Sequence, residues 1–282
     1  MRINFILMIG LLTMNCGAFA QSLKGLDTKG MDQQQTAFLL QFSQEARCPC
    51  APEKTMLGCM QDKSCPVAHK ILSHGVAGIR EGLGPQEVIE AMVKIYLADQ
   101  TYAFDLSKTA RKGAKQAKVT IVEFADFECP HCAEMKDLLD GIVKAYPKQV
   151  ALYFKNFPLP HHRHAHPAAR AVLAAGKQNR FWQMHDLLFT HQMSLSQEKI
   201  VSFAKEIGLN VNRFAKDMES SEVYSQIESE RAEARKANLD STPTIYINGR
   251  MYVEDKTPDK IKAYILSLVD KKGSKAKAKL KK

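Results

Sequence analysis

Cys129 and Cys132, separated by two residues, form a pair whose type and spacing could carry redox chemistry. A thiolate is the nucleophile in disulfide exchange, and a second thiol one helical turn away can release a mixed disulfide with a substrate. Pro130 follows the first cysteine, and proline is favoured at the first position of a helix, where its missing N–H removes no hydrogen bond. The pattern therefore places Cys129 at a helix N-terminus, where unpaired N–H groups and the helix dipole favour a negative charge.

The segments around this pair predict the elements that position it. Residues 118–124 form a β-rich run typical of a buried strand, and residues 150–154 form a second one. Apolar residues between them recur on one helical face, and the signals stay helical through an insertion at about residues 161–239. A hairpin is predicted over residues 244–253. A CxxC pair beside a strand–helix–strand unit is the redox signature of the thioredoxin fold, so we predict an α/β domain of this type with a helical insertion.

Four more cysteines lie within 18 residues near the start of the chain, namely Cys48, Cys50, Cys59 and Cys65. Two structural disulfides are the preferred interpretation, because the number is even and the chain carries an export signal. A bridge between the first two would strain the S–S dihedral, so each is expected to pair with one of the last two. A four-cysteine metal site and a second redox pair are the alternatives.

The N-terminus has the features of a signal peptide. Arg2 is followed by an apolar stretch at residues 5–13 and by a small-x-small pattern that ends at Ala20, so we predict cleavage after Ala20 and a periplasmic or other extracytoplasmic location. No transmembrane segment is expected in the mature chain. The predicted organisation is a signal peptide (1–20), a flexible leader (21–31), a small all-helical cysteine-rich domain (32–102), a linker (103–117), the thioredoxin-like domain (118–269) and a basic disordered tail (270–282).

The net charge of +10 does not indicate a nucleic-acid-binding protein, because of how the charge is distributed. Arg2 and seven lysines among the last twelve residues account for eight of the 40 basic residues. The remaining 32 stand against 30 acidic residues, so the body of the protein is nearly neutral. A lysine-rich end of this kind is typical of a solvated tail.

Residues 118–269 resemble the DsbA-like thiol:disulfide oxidoreductases of the DsbA and BdbD type. The resemblance rests on five features of the sequence: the Cys129-Pro130-His131-Cys132 tetrapeptide, Glu123 six residues before it, the phrases Phe157-Pro158-Leu159-Pro160, His166-Pro167-Ala168-Ala169 and Phe181-Trp182, the long helical insertion, and Ser241-Thr242-Pro243-Thr244 followed by Asn248-Gly249. No cofactor is implied.

The resemblance implies a role for each matching residue. Cys129 is the attacking thiolate, Cys132 the more buried resolving thiol, and His131 favours the thiolate electrostatically. Pro130 occupies the first helical turn. Glu123 accepts a proton from Cys132, the alternative being a paired strand charge. Pro243, as a cis-proline, brings Thr242 against the disulfide, where the backbone can pair with an extended substrate.

Four histidines, at positions 161, 162, 164 and 166, invite a metal interpretation. The prolines that bound this loop favour a polar loop instead, and we predict no metal site. Residues 48–92 are similar to the small helical thiol domain of the cytochrome c maturation protein CcmH, with Cys48-Pro49-Cys50 in place of the usual CxxC.

The sequence therefore predicts an exported enzyme that donates disulfides to reduced exported proteins. A membrane or soluble redox partner would reoxidise it. A reductase or isomerase, including one that serves cytochrome c maturation, is one alternative, and a chaperone-like module that binds clients is another. The Cys-Pro-His-Cys centre resembles that of the most oxidising members, which favours the oxidase.

Overall fold

The computed structural model describes residues 23, 25–61, 63, 65–237, 239–253 and 257–279, with side chains as far as residue 269. The predicted signal peptide and its cleavage after Ala20 lie outside the described residues. The chain divides into two compact units, Met1–Asp99 and Gln100–Lys282. Within the described part of the chain, every helix is too short or too polar to cross a lipid bilayer.

The first unit is helical. Its helices are α1 (Gln33–Glu45), α2 (Met56–Gln61), α3 (Pro66–Arg80) and α4 (Pro85–Asp99). A capping box between Asp32 and Gln35 satisfies the free N–H groups at the start of α1. Leu39 of α1 and Met92 of α4 meet at Gly75 of α3, where an added Cβ would lie only 2.6 Å from the Met92 sulfur. Close packing at this glycine joins α1, α3 and α4 into one core.

The segment before α1 is more ordered than the predicted flexible leader. Leu23 is buried in the core of the first unit. The guanidinium of Arg80 donates hydrogen bonds of 2.8 Å to the carbonyl oxygens of Asp27 and Lys29, and it pairs with the Asp27 carboxylate at 3.0 Å. The structure differs from the prediction here because one apolar side chain and one guanidinium tie the segment to the helices.

The second unit is built on a five-stranded sheet. Its strands are β1 (Ala110–Gly113), β2 (Val119–Ala125), β3 (Val150–Asn156), β4 (Thr244–Ile247) and β5 (Arg250–Met251), in the order β1-β3-β2-β4-β5. The central strands β2 and β3 are parallel, and the other pairs are antiparallel. Helix α5 (Pro130–Ala145) forms the crossover between the parallel strands, as a parallel pair requires.

Strand β1 lies inside the predicted linker at residues 103–117. It pairs with β3, so this segment is part of the sheet rather than a connection between units. Gly113 ends the strand at a φ of 91°, and a Cβ there would lie 2.3 Å from the carbonyl oxygen of Val150. The strand is short and carries Arg111 and Lys112, so it has no apolar pattern from which a strand could be predicted.

Trp182, the only tryptophan of the chain, holds this edge strand in place. Its indole N–H donates a 3.2 Å hydrogen bond to the carbonyl oxygen of Arg111, and the Lys112 ammonium lies 4.4 Å from the ring centre. The indole also packs against buried apolar clusters of the second unit. Trp182 is therefore a packing residue, as its aromatic neighbours would suggest.

Five helices separate β3 from β4 and form the helical insertion. They are α6 (Ala165–Gly176), α7 (Phe181–Thr190), α8 (Gln197–Glu206), α9 (Val211–Met218) and α10 (Ser221–Lys236). The final helix, α11 (Pro258–Lys279), contributes Ile261 and Ile265 to a buried cluster that also holds Met135 and Leu139 of α5. Helices α5 and α11 thus share one core with Ile121 of β2.

The backbone of α11 continues through Lys279, so residues 270–279 differ from the predicted disordered tail. Lysine and alanine are both strong helix formers. A segment rich in them can extend a helix that is already anchored by apolar residues in its first turns.

Candidate active site

The first cysteine of the pair caps helix α5. Cys129 is the N-cap, with extended backbone angles (φ −80°, ψ 117°), and Pro130 follows in the first helical turn. The Cys129 thiol donates a 3.4 Å hydrogen bond to the carbonyl oxygen of Thr242. The Thr242–Pro243 peptide bond is cis and stands directly before β4. The fold therefore brings together two parts of the predicted site, the cysteine motif and the cis-proline loop, that lie 113 residues apart.

The surroundings of Cys129 favour its thiolate. A hydrogen bond with the Cys132 side chain is the largest cause, and it lowers the pKa of Cys129 to about 5 against the raising effect of burial. The Thr242 side chain and the backbone N–H groups of Cys132 and His131 contribute to the same lowering. These N–H groups belong to the open first turn of the helix. At neutral pH the sulfur is mostly a thiolate, the nucleophilic form.

Cys132 has the opposite character. It is fully buried, and burial raises its pKa well above the usual value for a thiol. Its hydrogen bond to Cys129 and the nearby charge of Glu123 act in the same direction. The pair therefore combines a stable thiolate with a thiol that holds its proton.

Glu123 lies on β2, on the same side of the sheet as Ile121. It is 1% exposed, and its Oε1 has no hydrogen-bond partner within the described residues. Burial, followed by the charges of Asp140 and Cys129, raises its pKa to about 8. This carboxyl group is therefore largely protonated at neutral pH, beside a thiol pair that gains and loses protons.

The His131 imidazole does not lie on the Cys129 sulfur. Its side chain is 78% exposed, and Nδ1 lies 3.4 Å from Oε2 of Glu134, one turn further along α5. The contribution of His131 to the thiolate is that of its backbone N–H. The resemblance implied an electrostatic role for this side chain, but the i,i+3 carboxylate attracts the ring to the helix surface.

Two acids that belong to no sequence motif, Asp126 and Glu128, fix the loop before Cys129. Oδ2 of the buried Asp126 accepts a 2.7 Å hydrogen bond from the backbone N–H of Leu159 and lies 2.8 Å from Nδ1 of His162. Glu128 pairs in the same way with Nδ1 of His164, at 3.1 Å. Two histidines of the polar loop thus bind carboxylates, and the described residues contain no group arranged to hold a metal ion.

Gln192 is a further residue of the site that carries no motif in the sequence. It lies in a short 3-10 helix, Gln192–Ser194, after α7. Its side-chain amide donates hydrogen bonds of 2.7 Å and 2.9 Å to the carbonyl oxygens of Phe127 and Cys129. A glutamine more than 60 residues from the motif carries no sequence signal for this role. It joins the helical insertion to the active-site loop.

An open groove adjoins the cysteine pair. Its volume is about 300 Å³, and its lining combines apolar side chains of α5 with the cis-proline loop and the start of α11. The lining residues are His131, Glu134, Met135, Leu138, Thr242, Pro243 and Pro258. A mostly apolar groove of this kind suits an extended peptide better than a small charged ligand.

The four early cysteines form two disulfides in the first unit. Cys48 is joined to Cys59 and Cys50 to Cys65, with Cα–Cα distances of 6.2 Å and 5.7 Å. Each of the first two cysteines, Cys48 and Cys50, is thus paired with one of the last two. Cys129 and Cys132 are free thiols in this structure.

Comparison with known proteins agrees with this geometry. A family model described as thioredoxin matches residues 106–266, more than half of the chain. A thioredoxin-like oxidoreductase from Silicibacter pomeroyi is 26% identical, with a TM-score of 0.51, over 61% of this chain and 99% of that one. BdbD from Bacillus subtilis, in its oxidised form, is also 26% identical, with a TM-score of 0.54, over 60% of this chain and 97% of that one.

Curated relatives include the Na(+)/H(+) antiporter NhaA of Herminiimonas arsenicoxydans. It is 36% identical over 139 residues, which are 49% of this chain and 22% of the antiporter. The chain therefore spans only about a quarter or less of the length of the curated relatives it matches. The transport activity in their name is a property of those proteins.

Proposed function

The chain belongs to the thioredoxin family, and we propose that it is a thiol:disulfide oxidoreductase that donates a Cys129–Cys132 disulfide to reduced proteins outside the cytoplasm. The observation that carries the oxidising direction is the difference in pKa within the pair, about 5 for Cys129 and well above the usual value for Cys132. A sulfur of low pKa leaves a mixed disulfide readily. Exchange at Cys129 therefore favours a disulfide on the client.

In the first step, a client thiolate attacks the sulfur of Cys129. A client–Cys129 bond forms, the Cys129–Cys132 bond breaks, and the electron pair goes to Cys132. Cys132 is fully buried and its raised pKa favours the protonated form. Glu123, largely protonated at neutral pH, can supply that proton.

In the second step, another client thiolate attacks the client sulfur of the mixed disulfide. The client disulfide forms and Cys129 leaves as a thiolate, which its pKa of about 5 and the α5 N-terminus stabilise. The client has lost two electrons and the cysteine pair has gained them. The Cys129 thiolate then attacks the disulfide of an oxidised partner, membrane-bound or soluble. This attack starts the reoxidation of the Cys129–Cys132 pair. Glu123 accepts the Cys132 proton when Cys132 displaces that partner.

The site also supports a protein as substrate. The carbonyl oxygen of Thr242 faces the Cys129 sulfur at 3.4 Å, so an extended client strand can pair with this loop while its cysteine reacts. The neighbouring groove would hold its apolar side chains. Export is supported by the pattern at residues 1–20 and by two disulfides in the first unit, since disulfides persist in oxidising compartments.

The test is the reduction potential of the Cys129–Cys132 pair, measured by equilibration with glutathione. An oxidase is expected above about −180 mV, and a value below about −250 mV would instead support a reductase. Oxidation of reduced, unfolded ribonuclease by the purified protein gives a second readout. If the protein only holds clients, the wild type and the Cys129→Ser variant would bind ribonuclease equally well. The ribonuclease thiols would then stay reduced in both cases.

A further inference from the structure

A second cysteine–proline pair starts helix α3 in the first unit. Cys65 is the N-cap of α3, with extended backbone angles (φ −136°, ψ 98°), and Pro66 follows in the first turn. The Cys65 sulfur accepts a 3.4 Å hydrogen bond from the backbone N–H of Ala68. The α3 N-terminus therefore already points an N–H group at this sulfur while it is part of a disulfide.

The two disulfides of this unit differ in how a thiol can reach them. Cys48 and Cys59 are 2% and 0% exposed, so neither sulfur of their bond is open to attack. Cys65 is also buried, at 2%, but its partner Cys50 is exposed. A thiol from solution can therefore reach the Cys50–Cys65 bond from one side, at Cys50.

We propose that Cys50–Cys65 is a second exchange centre of this protein, which accepts two electrons from an exposed dithiol of another protein, and that Cys48–Cys59 is a permanent cross-link. The exposed residue Cys50 is the point of attack, and the capping sulfur of Cys65 is the leaving group. This centre is separate from the Cys129–Cys132 pair, and the proposal does not depend on the function given above.

The step follows from the two sulfur environments. A partner thiolate attacks Cys50, a partner–Cys50 bond forms, and the Cys50–Cys65 bond breaks with its electron pair on Cys65. The Ala68 N–H and the dipole of α3 stabilise the Cys65 thiolate. The second partner thiolate then displaces Cys50 from the mixed disulfide. The partner dithiol becomes a disulfide, and Cys50 and Cys65 become thiols.

Chain entropy does not distinguish the two disulfides. They span 11 and 15 residues, and the cost of closing a loop changes little between these lengths. Burial and the cap at Cys65 do distinguish them. The Cys48–Cys59 bond and the apolar core around Leu39 and Ile71 would keep the helices together while Cys50–Cys65 is open.

The experiment uses the full chain with Cys129→Ser and Cys132→Ser, so that the active-site pair is absent and failure here says nothing about the proposed function. Under native conditions the protein is treated with graded dithiothreitol, quenched with an alkylating agent and mapped by mass spectrometry. We expect Cys50 and Cys65 to be alkylated about tenfold faster than Cys48 and Cys59, with the helical circular dichroism unchanged. Opening of both disulfides at one rate, or of Cys48–Cys59 first, would overturn the proposal.

A second measurement identifies the attacked sulfur. The same variant is treated with reduced glutathione, a monothiol, and the mixed disulfide is trapped with acid. Glutathione is expected on Cys50. Glutathione mainly on Cys65, Cys48 or Cys59 would contradict the assignment of Cys50 as the point of attack. Reduced thioredoxin in place of dithiothreitol tests whether a protein dithiol reaches the bond, and a disulfide that opens only with the small reagent would exclude a protein partner.

Discussion

Helices α3 and α5 begin alike, with a capping cysteine in extended conformation followed by a proline, yet their cysteines are in different chemical states. At α3, the Cys65 sulfur is bonded to Cys50, 15 residues earlier on a separate segment. At α5, both cysteines lie in the first helical turn, and the Cys129 thiol is free and faces a carbonyl oxygen of the cis-proline loop.

A cysteine–proline helix start determines the surroundings of one sulfur but not the reaction in which that sulfur takes part. Both starts offer N–H groups that stabilise a thiolate. The use of that thiolate depends on the position of the second cysteine and on the groups around it. A partner in the same turn, a protonated carboxyl group and the backbone of the cis-proline loop equip the α5 start for the proposed exchange reaction. A partner on a separate, exposed segment makes the α3 start an accessible cross-link.

The largest effect is expected from the α5 cysteines. Cys129→Ser should lower the rate of ribonuclease oxidation by about a thousandfold or more, because the exchanging sulfur is gone. Cys132→Ser should lose that rate as well, because no Cys129–Cys132 disulfide can form, and its Cys129 should stay in mixed disulfides with disulfide-containing proteins that Cys132 can no longer displace. Gel analysis without reductant detects these adducts. As a control, the Cys50→Ser/Cys65→Ser variant should keep the Cys129-dependent rate within about twofold. An equal loss in that variant would show that the two helix starts act as one centre.

The next effect concerns Glu123, beside the α5 pair. Its folded pKa is about 8 against an ordinary 4.5, so the stability it contributes is fully present below about pH 4.5 and is lost as pH rises through 8. A pKa difference of one corresponds to about 1.4 kcal/mol. Burial of Glu123 therefore lowers the free energy of unfolding at pH 7 by an amount on the order of 3 kcal/mol. Glu123→Gln should therefore raise the free energy of unfolding at pH 7 and flatten its fall with pH.

Thermal melts by circular dichroism from pH 4.5 to 8.5 test this expectation, with the exposed Glu134→Gln as the control that should change little. Wild type and Glu123→Gln curves that stay parallel across this range would show that Glu123 is ionised in the folded protein. The proposed proton transfer to Cys132 would then be wrong.

The disulfides of the first unit should give a somewhat smaller effect. Replacing Cys48 and Cys59 by alanine removes a cross-link over 11 residues, which is worth about 3 kcal/mol. Replacing Cys50 and Cys65 removes a cross-link over 15 residues, with a similar loss of chain constraint. Hydrogen exchange of the α1 and α3 amides measures both. We expect the buried pair to cost more, because its removal also leaves space in the core, and the reverse order would contradict its role as the permanent cross-link.

The smallest effect is expected at Gln192. Gln192→Ala leaves two loop carbonyl oxygens without their donor, a loss of about 1–2 kcal/mol. The loop that carries Cys129 should then relax, and alkylation of Cys129 at mildly acidic pH should slow a few-fold as its thiolate is less well stabilised. Gln178→Ala is the matched control, since Gln178 also makes two backbone hydrogen bonds within the insertion, to Asn210. Equal labelling rates in the two variants would remove Gln192 from the site.

The sequence was sufficient for the parts of the fold that depend on periodicity and on motifs. The apolar run at β2, the helical face after Cys129 and the hairpin over residues 244–253 each carry a local signal, and the thioredoxin fold follows from their order. Strand β1 carries no such signal, because its four residues are mostly polar and its partner β3 lies almost 40 residues further on.

The site shows the same division. The type and spacing of Cys129 and Cys132 were visible, as was Pro243 beside Thr242. The hydrogen bonds that fix the loop were not, because Asp126 and Gln192 bind groups distant in sequence and belong to no motif. The orientation of His131 depends on Glu134, a neighbour whose influence appears only once the helix is built.

The position of Trp182 gives this protein an optical reporter of one unit alone. It is the only tryptophan, and its indole contacts β1 and the aromatic ring of His185 at 4.9 Å, all in the second unit. Fluorescence excited at the red edge of the indole band therefore records unfolding of the catalytic unit and is blind to the disulfide-linked helices. Far-ultraviolet dichroism sums over both units, so its comparison with the emission spectrum distinguishes unfolding of the second unit from unfolding of the first without any added label.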